Sequence, residues 1–236
     1  MLDRRKAVKL LVSSAAVFAF IPATQALEKI KSKKNKKHLA MVIDLSRCNG
    51  CKACTVSCGV ENGNKPTEHR TEVVQISSQI GDKQFVLNLP LLCNNCESPS
   101  CVDVCPTGAT YKREEDGIVV VDSSICIGCN YCIQGCPFPG SRFENTETAT
   151  VDKCNFCVQR TSQGLLPACT ETCVGEARTF GDLNDTNSTV SKLLRENKAM
   201  VMQYNKGTAP NVFYIGLSQE VSNHPFSIHT DLKWQR

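Results

Sequence analysis

The chain has 236 residues, enough for one or two domains with a real core. Its formal charge is +4, yet from His38 onward 17 basic residues face 21 acidic ones, so the body is mildly acidic and offers no groove for nucleic acid. Sixteen residues are cysteine, all between Cys48 and Cys173, against four histidines and one tryptophan.

The chain opens MLDRRKAVKLLVSSAAVFAFIPATQALEK. Arg4 and Arg5 start a short basic segment, and an apolar run follows from Leu10 to Ile21. At about 1.5 Å per residue that run covers about 18 Å, too short for a bilayer core of about 30 Å. Pro22 and the small-residue stretch Thr24-Gln25-Ala26 complete the build of a secretory leader over residues 1–26, and the paired arginines give it the twin-arginine character. Residues 27–37 read as a Lys-rich, solvated linker. No further long apolar run follows, so the rest of the chain is not expected to span a membrane.

HLAMVIDL, residues 38–45, predicts a strand leading into the first cysteine group, Cys48-x2-Cys51-x2-Cys54-x3-Cys58. Residues 61–90 separate this group from the next and hold the apolar pieces VVQI (73–76) and FVLNL (85–89), which predict an inserted hairpin. The second group is Cys93-x2-Cys96-x4-Cys101-x3-Cys105-Pro106. GIVVV at 117–121 predicts a strand before the third, Cys126-x2-Cys129-x2-Cys132-x3-Cys136-Pro137. The fourth is Cys154-x2-Cys157-x11-Cys169-x3-Cys173, with a helix expected to start near Pro167. A helix over about 188–197 and a strand over 211–217 close the reading, and the 61–90 insertion and the tail are the expected partner surfaces.

Three uses of these thiols compete. Disulfides are the default for a cysteine-rich exported chain, but bridges usually join cysteines distant in sequence, and these sit two or three residues apart in repeated triplets. Zinc modules usually contribute two CxxC pairs from separate turns. Three ligands within seven residues instead suit a loop wrapped around an iron–sulfur cube. The third group fits the bacterial ferredoxin run, whose fourth cysteine ligates the other cluster of a pair. Applied here, that rule gives Cys93, Cys96, Cys101 and Cys136 one [4Fe–4S] cluster, and Cys126, Cys129, Cys132 and Cys105 its neighbour. The same logic gives Cys48, Cys51, Cys54 and Cys173 a third, and Cys154, Cys157, Cys169 and Cys58 a fourth. Twin-arginine export carries folded protein, so the clusters could be inserted before exposure to an oxidising compartment.

Competing chemistry is absent from the pattern: no Rieske Cys-x-His pair, no GxGxxG, no phosphate loop and no Ser/His/Asp set. The histidines at 38, 69, 224 and 229 lie in polar or terminal segments, where a surface or structural role is the commoner one. No catalytic residue and no small-molecule substrate of the chain's own are expected. Lys153, Tyr131 and Phe156 lie within the cysteine loops and are candidates for tuning, although packing or surface positions are the commoner role for such residues.

Four such groups on one exported chain resemble the iron–sulfur subunits of complex molybdoenzymes. TVSCGVENG (55–63), ATYKREEDGIVVVD (109–122), YCIQGCP (131–137), DKCNFCV (152–158), GLLPACTETCVGEAR (164–178) and VFYIGL (212–217) are similar to the tetrathionate reductase beta-subunit family. The short link over residues 137–153 favours the same relatives or the nitrite-pathway ones. The resemblance implies an α+β fold of two interlocked ferredoxin-like modules with an inserted hairpin. It implies a four-cluster domain over 38–180 and a partner-docking extension over 181–236. It further implies a molybdopterin catalytic subunit and a membrane-integral quinol-oxidising subunit as partners, with the chain itself a non-catalytic relay. A periplasmic location at the inner membrane, through those partners, would follow. The same role with thiosulfate, polysulfide, dimethyl sulfoxide, arsenate or nitrite systems, or as a free polyferredoxin, is the alternative.

Overall fold

Short apolar strands and cysteine loops alternate along this chain, and a computed structural model shows how they close on one another. It describes residues 36–80 and 83–218, without the side chains of 77–80 and 83–85. The leader, the linker through residue 35, His224 and His229 lie outside the described residues.

Strand β1, Leu39–Asp44, is the core of the fold. Its sequence LAMVID is apolar without alternation, as expected of a strand covered on both faces, and Ala40 to Ile43 are all buried. A 3-10 turn, Leu45–Arg47, follows, and Asp44 caps it by accepting from Ser46 N–H. Helix α1, Ala53–Asn62, carries Cys54 and Cys58 and ends at Gly63 in the left-handed region. Strands β2, Thr71–Ile80, and β3, Lys83–Leu92, pair antiparallel from Thr71↔Leu92 to Ile80↔Lys83. The segment expected as an insertion over 61–90 is therefore shifted, because Glu61 and Asn62 complete α1 and the second strand reaches Leu92.

Four short helices and two strand pairs follow. Helix α2, Ser100–Asp103, leads to the pair β4, Thr110–Lys112, and β5, Val119–Val121. Helix α3, Tyr131–Gln134, packs against α2 and precedes the pair β6, Arg142–Asn145, and β7, Thr150–Lys153. Helices α4, Val158–Thr161, and α5, Ala168–Glu171, come next, and α5 packs against α1. Each of the two helix contacts thus joins a pair of cysteine groups, second with third and first with fourth.

The chain then returns to its beginning. Strand β8, Arg178–Asp182, runs antiparallel to β1, and β10, Val212–Ile215, runs parallel to it on the other side. Two-residue β9, Ala199–Met200, completes the order β8-β1-β10-β9. Helix α6, Thr189–Glu196, is capped by the Ser188 hydroxyl and lies over β8 and β1. Residue 181, where an extension is expected to begin, lies inside β8. Part of the tail packs into the core: Val212 and Tyr214 are fully buried and Tyr214 Oη donates to Pro90 O at 2.9 Å. No helix among the described residues is long and apolar enough to cross a membrane.

Candidate metal centres

All four cysteine groups share one backbone device. The residue just before the second cysteine is left-handed in each: Gly50 (φ +75°), Asn95 (φ +42°), Gly128 (φ +65°) and Phe156 (φ +53°). Such a residue turns successive backbone N–H groups into a concave, anion-attracting nest. Glycine adopts it freely, and asparagine tolerates it. A phenylalanine there is strained, and Phe156 is held in place by full burial and an edge-on contact with Phe180, centroids 5.3 Å apart.

No two of the sixteen cysteines are joined in a disulfide. Cys48, Cys51, Cys54 and Cys173 line one cavity, with Arg178 in its wall. Cys93, Cys96, Cys101 and Cys136 line a second, with Arg142 in its wall. Cys58, Cys154, Cys157 and Cys169 are all buried. Burial pushes the Cys58 thiol up to about 12, and the neighbouring Cys169 and Cys157 push it the same way. Burial likewise raises Cys154, followed by Cys58 and Cys169. Cys126 and Cys132 meet Cys101 and Val119 in a smaller apolar cluster. Cys129 precedes α3, and Cys105 lies just beyond α2, which packs against α3. Burial also dominates at Cys96, pushed up to about 12, and Cys101, up to about 11.

The last cysteine of every group has a hydrogen-bond partner at its sulfur. Asn62 Nδ2 approaches Cys58 Sγ at 3.5 Å, Thr110 N–H approaches Cys105 at 3.3 Å and Ala177 N–H approaches Cys173 at 3.2 Å. Ser141 Oγ lies 3.1 Å from Cys136 Sγ. Such donors favour the thiolate.

Three buried cations were not singled out as such in the sequence. Arg142 Nη2 donates to Cys101 Sγ at 2.7 Å, and Arg178 Nη1 lies 3.7 Å from Cys169 Sγ. The signal available for both was an arginine five or six residues beyond the last cysteine of a group. Lys153 is 2% exposed rather than at the surface, and its Nζ donates to Val119 O, to Cys154 O at 2.8 Å and to Asn95 Oδ1 at 3.4 Å. Burial raises Cys93, but the Lys153 and Arg142 cations outweigh it and bring that thiol down. Tyr131 is exposed and Phe156 buried, while His38 Nε2 pairs with Asn211 Oδ1 at 2.8 Å.

This donor set fits a polynuclear, thiolate-bound group. Buried thiols that raise one another's pKa ionise only around a cationic core. Nests, sulfur-directed N–H groups and buried cations all suit an anionic cluster, which is the frame of an iron–sulfur protein of the ferredoxin-like class.

Comparison with known proteins agrees. Residues 84–183 match the 4Fe-4S dicluster domain. The sequence is 52% identical over 182 residues to the B subunit of tetrathionate reductase from Salmonella typhimurium, covering 75% of this chain and 72% of that one. It is 40% identical to the B subunit of tetrathionate reductase from Archaeoglobus fulgidus (78% and 85% covered). It is 38% identical to the corresponding B component of polysulfide reductase from Wolinella succinogenes (76% and 94%). This protein belongs to the family of the tetrathionate reductase B subunits, iron–sulfur electron-transfer subunits of molybdoenzyme-type reductases.

Proposed function

We propose that this chain holds four [4Fe–4S] clusters and relays electrons, one at a time, from a membrane-integral quinol-oxidising subunit to a molybdopterin subunit that reduces tetrathionate to thiosulfate. The observation that carries the reading is the four-fold repeat of a left-handed nest within a four-thiol group, with no cysteine left over. The ligand sets are those expected from the crossover rule: Cys48, Cys51, Cys54 and Cys173; Cys154, Cys157, Cys169 and Cys58; Cys93, Cys96, Cys101 and Cys136; Cys126, Cys129, Cys132 and Cys105. The two four-cysteine cavities support the first and third of these sets.

When bound, [4Fe–4S] clusters supply one-electron redox chemistry at potentials set by their surroundings. The chain's own residues supply those surroundings. Its nests and sulfur-directed donors stabilise negative charge, its buried arginines and lysine add positive charge, and the apolar core excludes water around Cys93, Cys96, Cys154 and Cys169. Phe156, Leu89 and Tyr214 do part of that exclusion.

The leader over 1–26 directs twin-arginine export in this reading, and the chain works in the periplasm, held at the inner membrane by its partners. Substituting Arg4 and Arg5 by lysine should leave the chain in the cytoplasm on cell fractionation; undiminished export would sink that part. The functional test is the intact complex, purified anaerobically and supplied with reduced viologen. About sixteen iron atoms per chain, molybdenum in the preparation and oxidation driven chiefly by tetrathionate are the expected results. Preference for polysulfide, thiosulfate, arsenate or dimethyl sulfoxide would keep the relay and discard the acceptor, and absence of molybdenum would point to a free polyferredoxin.

A further inference from the structure

Arg142, Lys153 and Arg178 are 4%, 2% and 4% exposed, and no other lysine or arginine among the described residues is buried. None of the three forms an ion pair with a carboxylate among those residues. A buried charge left without a counter-charge is costly, so each needs its compensation from another source. The cysteine sites offer negative charge beside these side chains.

Their positions follow a rule. Arg142 lines the cavity of Cys93, Cys96, Cys101 and Cys136 and donates to Cys101, which shares an apolar cluster with Cys126 and Cys132. It stands where the Cys93 site meets the Cys126 site. Lys153 donates to Cys154 O and Asn95 Oδ1, while Asn95 Nδ2 donates to Cys93 O at 3.3 Å and Cys154 O at 3.4 Å. It stands where the Cys93 site meets the Cys154 site. Its three acceptors match the three protons of an ammonium group. Arg178 reaches toward Cys169 and lines the cavity of Cys48, Cys51, Cys54 and Cys173, where the Cys154 site meets the Cys48 site. The four sites thus have three joints, and each joint holds one cation.

We propose that Arg142, Lys153 and Arg178 are positioning cations, each raising the reduction potential of the two sites it stands between and of no others. The inference rests on the four-cluster reading above. Reduction adds an electron to a site, and a fixed positive charge at contact distance favours that step far more than one a site further away. Two nitrogens of Arg142, Nε and Nη1, are buried without a protein acceptor on the side chain that lines the Cys93 cavity, so the guanidinium keeps donors in reserve for an anionic occupant.

The experiment uses the intact complex, purified anaerobically, with iron and sulfide measured first and each midpoint potential followed by spin-resonance redox titration. Signals are assigned to sites with single Cys→Ser variants. Arg142→Gln should lower the Cys126 and Cys93 sites, Lys153→Met the Cys93 and Cys154 sites, and Arg178→Gln the Cys154 and Cys48 sites, leaving the other two in place each time. Lys153→Arg and Arg142→Lys keep the charge and should keep the potentials, an outcome that a purely structural role would not produce. The joints are read independently, so any one variant that assembles decides. Full clusters with unmoved potentials, or with all four moved alike, would overturn the inference alone. Iron and sulfide well short of four clusters would overturn the reading beneath it and the inference together.

Discussion

Arg178 Nη2 donates to Thr71 Oγ1 at 2.9 Å, and the same hydroxyl donates onward to Leu91 O at 2.8 Å. One threonine therefore fastens the base of the β2–β3 pair to an arginine of the cysteine sites. Replacing it by isosteric valine leaves a buried N–H and a buried carbonyl each short of a partner. Thr71→Val should cost about 1–2 kcal/mol, read as an earlier thermal midpoint for loss of the visible cluster absorbance.

Gly63 and Gly128 share a φ of +65°, but only one is crowded. A Cβ at Gly63 meets nothing within 4 Å, whereas at Gly128 it would run into the Ala149 carbonyl oxygen. Gly63→Ala should therefore cost only the left-handed penalty, about 1–2 kcal/mol. Gly128→Ala must displace the third cysteine loop as well, and should give a chain with less iron per molecule on anaerobic analysis. Equal behaviour of the two variants would contradict this account.

Arg70 grips Asp152 through two nitrogens, Nε to Oδ2 at 3.0 Å and Nη2 to Oδ1 at 2.9 Å, with both side chains under a fifth exposed. Arg70 Nη1 also donates to Asn62 Oδ1 at 2.6 Å, and Asn62 in turn bonds Cys58 O. Asp152→Asn breaks a paired fork and should destabilise by about 2 kcal/mol. Arg70→Lys should lose a comparable amount, since a lysine cannot reproduce the fork. Chemical unfolding followed by far-ultraviolet dichroism measures both.

Removal of iron should unfold the protein rather than empty it. Cys54, Cys93, Cys96, Cys154 and Cys169 belong to the same core as Met41, Leu89 and Tyr214, so their ligands hold the interior together. Anaerobic chelation is expected to abolish cooperative thermal unfolding; a sharp transition retained by the iron-free chain would show that the apolar core suffices.

The regular elements were legible where apolar pattern and capping agree. HLAMVIDL became β1, and the helix expected over about 188–197 is α6, Thr189–Glu196, which Ser188 caps. The partnership of distant strands was not legible. Nothing local tells that Val212–Ile215 lies parallel beside β1, because that pairing is settled by burial on both faces across most of the chain. The cysteine spacings made a cluster reading possible and Lys153 a candidate for tuning, but nothing local marked Arg142 and Arg178 as buried. Arg142, Lys153 and Arg178 are buried against sulfur and carbonyl oxygen, and only the folded arrangement shows it. Phe156 carries no cue for a left-handed backbone, since the same position is glycine or asparagine in the other three loops.

The parallel pairing of β1 with β10 also sets a timetable for synthesis. Residues 39–44 leave the ribosome long before residues 178–182 and 212–215 exist, so the central strand waits with both edges unpaired until β8 is made and with one unpaired until β10 is. Cys48 waits in the same way for Cys173, across the cavity they share. Closure is a late event joining distant parts of the chain, slow by the rule that long-range contacts delay folding. A nascent chain stalled before residue 212 exposes β1 to other strands, so fidelity of translation through β10 guards this protein against aggregation.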